Sequence, residues 1–70
     1  MTDTVHITVN GEPRELGGEP TLGRLVATLT TAPSGVAAAV NEAVVPRARW
    51  DGTRLAEGDR VEILTAVQGG

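Results

Sequence analysis

Val5-His6-Ile7-Thr8-Val9-Asn10-Gly11 is the stretch on which the fold turns. Val5, Ile7 and Val9 alternate with His6 and Thr8, the period of a strand with one buried face. Asn10-Gly11 then supplies the dipeptide that closes a tight hairpin. The return strand falls at about residues 12 to 16, and Pro13, which has no N–H to donate, suits an edge position there.

Outward from this hairpin, Gly17, Gly18, Glu19 and Pro20 break the chain. Leu22, Leu25, Val26 and Leu29 follow at i, i+3, i+4 and i+7, which predicts one amphipathic helix of two to three turns. Thr21 is its candidate N-cap, and Ala32-Pro33-Ser34-Gly35 its stop. Gly23 in the first turn costs about 1 kcal/mol relative to Ala. Val36 to Val40 and Ala43 to Val45 read as paired short strands, and Arg47 to Arg54 as irregular chain. A turn over Leu55 to Asp59 leads into a last alternating run, Val61, Ile63, Thr65 and Val67.

A hairpin, one helix and further strands in so short a chain are best solved by a single sheet with the helix on one face. The first and last strands are expected side by side and parallel. The expected class is therefore α+β: a β-grasp, with a mixed sheet of four to five strands packed on one helix. Residues 1–66 form the domain and 67–70 a flexible tail. In that arrangement Leu64 and Ala66 point to the open face, out of phase with Val61 and Ile63, unless a bulge or loop buries Leu64.

Composition narrows the function. Seventy residues allow one domain, and such a domain buries only about 60% of the surface its unfolded chain exposes. The core has to come from Val, Leu, Ile and Ala, because there is no Phe, no Tyr and one Trp. Without cysteine the chain has neither disulfides nor a thiolate metal site, and a cytoplasmic setting fits best. No leader pattern or membrane-length apolar run is visible, so no membrane partner is expected. The net charge is −3, and all six basic residues are arginines spread along the sequence without interleaved aromatics, which argues against nucleic acid. Absence of lysine excludes self-polymerisation through side-chain amines. Alone, the chain is expected to be a monomer.

The ending, Val67-Gln68-Gly69-Gly70, is where chemistry is expected. Two terminal glycines arise by chance in about 0.5% of chains at a glycine usage of about 7%, and in about 1.7% for a chain with 9 glycines among 70 residues, so the pair gains weight only in combination with the fold. A terminal carboxylate, with a pKa of about 3.3 to 3.7, is ionised at neutral pH and resists nucleophiles. It can instead attack the α-phosphate of ATP, and the resulting acyl adenylate accepts sulfur. The last residues must then enter another protein's nucleotide site, where glycine permits close backbone approach. Four residues beyond Ala66 reach roughly 13 Å. Ordering them costs about 1 to 2 kcal/mol apiece, which an apolar docking face around Leu64 would offset. With no cysteine to bear a persulfide, the terminus has to hold the sulfur.

Three blocks carry a family resemblance: Ile7-Thr8-Val9-Asn10-Gly11-Glu12; Val36-Ala37-Ala38-Ala39-Val40-Asn41-Glu42 with Val45-Pro46-Arg47 and Trp50; and Leu55-Ala56-Glu57-Gly58-Asp59-Arg60-Val61-Glu62-Ile63 leading to Ala66-Val67-Gln68-Gly69-Gly70. Over nearly the whole chain the sequence resembles the ThiS family of bacterial thiamine-biosynthesis sulfur carriers. The resemblance implies a ubiquitin-like β-grasp protein, not itself an enzyme. Its terminal Gly70 would be adenylated by an E1-like activating enzyme that uses ATP, receive sulfur from a persulfide donor, and pass it to thiazole synthase. Gln68 and Gly69 would thread into the partner, with Leu64, Ala66 and Val67 as docking residues. No cofactor bound by the chain is implied. Two alternatives share the adenylated glycine: a ubiquitin-like modifier of target amines, and a carrier of the molybdopterin-synthase small-subunit type.

Other residues carry weaker signals. His6 reads as a solvent-side or satisfied sheet residue with no acid–base partner in view. Glu57, Asp59 and Glu62 are candidates for a basic patch on a partner, or simply solvated carboxylates. Trp50, with Arg47 and Arg49, is either a contact patch or a ring closing one end of the core. Asn10-Gly11 and Gly58-Asp59 read as turn chemistry alone.

Overall fold

The computed structural model describes residues 4–29 and 35–65. Its elements run β1 (Val5–Val9), β2 (Glu12–Leu16), α1 (Leu22–Leu29), β3 (Val36–Val40), β4 (Ala43–Val45), a 3₁₀ helix (Arg47–Gly52) and β5 (Arg60–Thr65). The five strands form one mixed sheet in the order β2-β1-β5-β3-β4. As the alternation required, β5 lies parallel to β1, with Thr8 beside Arg60 and Val9 beside Val61. On its other side β5 pairs antiparallel with β3, from Val36 with Thr65 to Val40 with Val61. The last strand is therefore the middle of the sheet. β2 takes one edge, and its Pro13 faces Thr8.

Alternation decides which side chains go inward. Ile7, Val9, Ala38, Val61 and Ile63 meet Leu22, Leu25 and Val26 of α1, and all are buried. Each fully buried aliphatic side chain contributes about 1.5 to 3 kcal/mol. The helix begins where expected: the Arg24 amide donates to Thr21 Oγ1 at 3.2 Å, an N-cap bond. A Cβ at Gly23 would overlap the exposed Asp51 carboxylate of the 3₁₀ helix, which would have to swing aside. The expected helix stop at Ala32-Pro33-Ser34 lies outside the described residues.

One expectation is corrected. Arg47–Gly52, read as irregular, is a 3₁₀ helix. It carries Trp50 under the sheet, 5% exposed, with the indole N–H donating to the Val45 carbonyl at 2.9 Å. Trp50 is thus the ring that closes the core, and Arg47 and Arg49 stay exposed.

Both hairpins use left-handed residue pairs: Asn10 and Gly11 at φ 52° and 85°, and Asn41 and Glu42 at φ 51° and 73°. Such turns match the twist of the flanking strands. Glu42, however, pays roughly 1 to 2 kcal/mol for a conformation that glycine adopts freely. Replacing it with glycine costs about 0.5 to 1 kcal/mol in unfolded-chain entropy. Glu42→Gly is therefore expected to stabilise the protein by about 0.5 to 1 kcal/mol in urea unfolding. Its loss of the exposed Arg60–Glu42 ion pair, at 3.7 Å, matters little.

Candidate functional site

The sheet face away from α1 is built from the residues that alternation turns outward. Leu64 on β5 is 71% exposed and Val44 on β4 is 76% exposed, so no bulge or loop buries Leu64. Between them stand the small side chains of β3: Ala37 opposite Leu64, and Ala39 opposite both Glu62 and Val44. Alanines flanked by taller neighbours leave a shallow trough of about 270 Å³, with Glu42 and Glu62 also on its walls. Leu64, expected from the sequence to be a docking residue, lines this trough. Ala66, Val67, Gln68, Gly69 and Gly70 lie outside the described residues; they follow directly on β5, the central strand.

Sequence reasoning missed Ala37, Ala39 and Val44 as parts of this face. A period-2 reading of Val36–Val40 would have found the alanines, since alternate positions of a strand share one face.

Polar side chains also stand on the open face. His6 Nδ1 lies 3.2 Å from Glu57, and its Nε2 lies 3.4 Å from Glu15. The same Glu57 accepts the His6 backbone N–H at 2.9 Å. The partners missing from the sequence reading of His6 are therefore two carboxylates, one of them 51 residues away. The hydrogen bond and charge of Glu57, helped by Glu15, raise the imidazole pKa above its ordinary 6.5. Glu57 is held below its ordinary 4.5, first by the His6 backbone N–H and then by the ring.

These shifts fix the sign of a pH dependence. A raised His6 pKa adds stability that is present below 6.5 and fades as pH rises through the folded value. A lowered Glu57 pKa adds stability that is present above 4.5 and fades as pH falls through the folded value. Both contributions coexist between 4.5 and 6.5. The stability difference between wild type and His6→Gln, followed by urea unfolding, is expected to peak in that window and shrink on either side. The triad is solvent-exposed, so the peak will be small.

Side-chain amides secure the central strand from both flanks. Asn10 at the end of β1 accepts from the Ile63 N–H at 2.9 Å and donates to the Ile63 carbonyl at 3.2 Å. Asn41 at the end of β3 accepts from the Arg60 N–H at 2.9 Å and donates to Asp59 at 3.0 Å. Asp59 also accepts the Ala56 N–H at 2.8 Å, fixing the turn that feeds β5. Asn10 thus does more than shape a turn: it continues the β1–β5 ladder beyond the last paired backbone residues. Among the described residues no group of three or more His, Asp or Glu side chains could hold a metal ion. No described helix is long and apolar enough to cross a membrane.

Comparison with known proteins agrees with this architecture. The crystal structure of the thiamine biosynthesis protein ThiS from Geobacter metallireducens superposes with a TM-score of 0.74 at 32% identity, covering 94% of this chain and all of that one. A solution NMR structure of a thiamine biosynthesis protein from the same organism gives a TM-score of 0.76 at 32% identity, covering 94% of this chain and 88% of that one. No curated protein sequence matches significantly. The ThiS family model matches residues 7–70. With β5 central and parallel to β1, and with that match spanning almost the whole sequence, the chain belongs to the ThiS family.

Proposed function

We propose that the chain carries sulfur for thiazole formation in thiamine biosynthesis, and that the carboxyl carbon of Gly70 is the atom that bears it. The observation that carries this reading is the reach of the family match, which runs through the double glycine to residue 70 itself. On this reading the chain is a co-substrate, consumed and regenerated by other proteins, and is not an enzyme. Residues 1–66 serve as the scaffold and 67–70 as the reactive tail.

The chemistry is as follows. An E1-like activating enzyme binds the chain and ATP, and the Gly70 carboxylate attacks the α-phosphate, releasing pyrophosphate. The acyl adenylate is electrophilic at carbon, so sulfur from a persulfide donor displaces AMP. After the sulfur–sulfur bond is cleaved by a thiol, a thiocarboxylate remains. Thiazole synthase then takes the sulfur, and the carboxylate returns. Leu64 and the trough beside it, with Ala66 and Val67, form the docking face, and Gln68 and Gly69 thread toward the nucleotide.

The test is the mass of the C-terminal peptide after incubation with ATP, the activating enzyme and a sulfur source. A peptide heavier by exchange of one oxygen for sulfur, discharged on adding thiazole synthase and its substrates, is the expected result. An unmodified terminus under those conditions overturns the reading. Denaturation-resistant adducts on target amines point to a protein modifier, and discharge only to a molybdopterin synthase large subunit points to the other carrier class.

A further inference from the structure

Asn10 precedes Gly11, and that pairing has a chemical consequence separate from its role in the hairpin. Asparagine is a thermolabile residue. When glycine follows, no side chain hinders attack of the next backbone nitrogen on the carboxamide. Both residues are exposed to solvent. Yet both polar atoms of the Asn10 carboxamide are engaged by Ile63 of β5, at 2.9 and 3.2 Å.

We propose that Asn10 is a deamidation site guarded by β5, and that its conversion weakens the hold on the sheet's central strand. In the reaction the deprotonated Gly11 nitrogen attacks Asn10 Cγ. The Cγ–Nδ2 bond breaks, ammonia leaves, and a five-membered succinimide forms. Water opens the ring at either carbonyl, giving aspartate or isoaspartate. One water enters, one ammonia departs, and nothing is oxidised or reduced. Ring closure needs Cγ within bonding distance of the Gly11 nitrogen, which requires the carboxamide to release Ile63. The native sheet is therefore the guard, and opening of β1 from β5 removes it.

The product differs from asparagine at one decisive atom. An aspartate still accepts the Ile63 N–H. Where Nδ2 donated to the Ile63 carbonyl, an ionised oxygen now faces that carbonyl oxygen, with no proton between them. Protonating the carboxyl restores a donor. The charged groups beside Asn10 in its groove are Glu12 and Arg14 of β2, which act on a new carboxylate with opposite signs. The other groove walls, Val9 of β1, Leu29 of α1, and Ile63 and Thr65 of β5, carry no charge.

The full-length protein is aged in buffer and in concentrated urea, then cut with trypsin, which separates residues 1–14 from the segment containing Asn41. Two hydrogen bonds of ordinary net strength guard the site, so loss of Asn10 in buffer is expected to be roughly tenfold to thirtyfold slower than in urea. Equal rates overturn the proposal. The second measurement is urea unfolding of Asn10→Asp against wild type. At neutral pH the folded-to-unfolded ratio is expected to fall about fivefold or more, and the deficit to close as the carboxyl protonates. If the variant does not fold at neutral pH, its recovery in acid reads out the same donor. A variant as stable as wild type at neutral pH, or one whose deficit ignores pH, shows that the carboxamide donor does not hold β5.

Discussion

Deletion of Gly69 and Gly70 is expected to abolish sulfur loading while leaving the fold intact. The truncated chain ends at Gln68 and still presents a terminal carboxylate, ionised at neutral pH. It is therefore chemically able to attack ATP, and what it lacks is reach and a bare backbone. Two residues span about 7 Å when extended, whereas a misplacement of about 1 Å can already cost a hundredfold in rate. On the proposed reading, Gln68 would also bring a Cβ and an amide to the place that glycine takes in the wild type. Loading, measured as thiocarboxylate mass with the activating enzyme, ATP and a sulfur source, should fall by at least about a hundredfold. The core residues of the described structure all lie between Ile7 and Ile63, so the urea midpoint should not move. Gly70→Ala keeps the length and adds one methyl group, which separates the two causes. If it loads as poorly as the deletion, bareness dominates; if it loads like wild type, reach does. Normal loading of the deleted chain would defeat the assignment of Gly70.

The sheet was legible in the sequence because two of its three inner strands, β1 and β5, alternate cleanly. Val5, Ile7 and Val9 on one, and Val61 and Ile63 on the other, are inward positions that neither composition nor loops disguise. The helix was legible for the same reason at a different period, through Leu22, Leu25 and Val26. The 3₁₀ helix was hidden because it buries a single side chain, Trp50, and one apolar residue sets no period. Contacts between distant positions were hidden too. His6 meets Glu57 across 51 residues and Asn10 meets Ile63 across 53, and no local pattern announces either pair. The approach of the Asp51 carboxylate to Gly23 is another contact, across 28 residues, that no local pattern announces. Of the candidate site, Leu64 could be placed by counting from Val61. The trough beside it could not, since it depends on β3 pairing with both β4 and β5.

Leu64→Arg is expected to uncouple docking from folding. Leu64 sits on the central strand yet is 71% exposed, so no core contact is lost and the cost to stability should stay within about 0.5 kcal/mol. Its worth to a partner is different. Burying a leucine against another protein contributes about 1.5 to 3 kcal/mol, and arginine would add a charge to an interface that has apolar Ala37, Ala39 and Val44 around it. Since about 1.4 kcal/mol is a factor of ten, the KM for adenylation should rise roughly tenfold to a hundredfold. At saturating carrier kcat should change far less, because the tail residues proposed to enter the active site are untouched. Glu62, on the same face and two residues back, offers the arginine only a screened, exposed partner and cannot restore apolar contact. Leu64→Met, which keeps volume and hydrophobicity, should restore most of the affinity. A KM unchanged by arginine would mean that the activating enzyme grips some other surface. A fall in kcat alone would mean that Leu64 acts through the tail and not through docking.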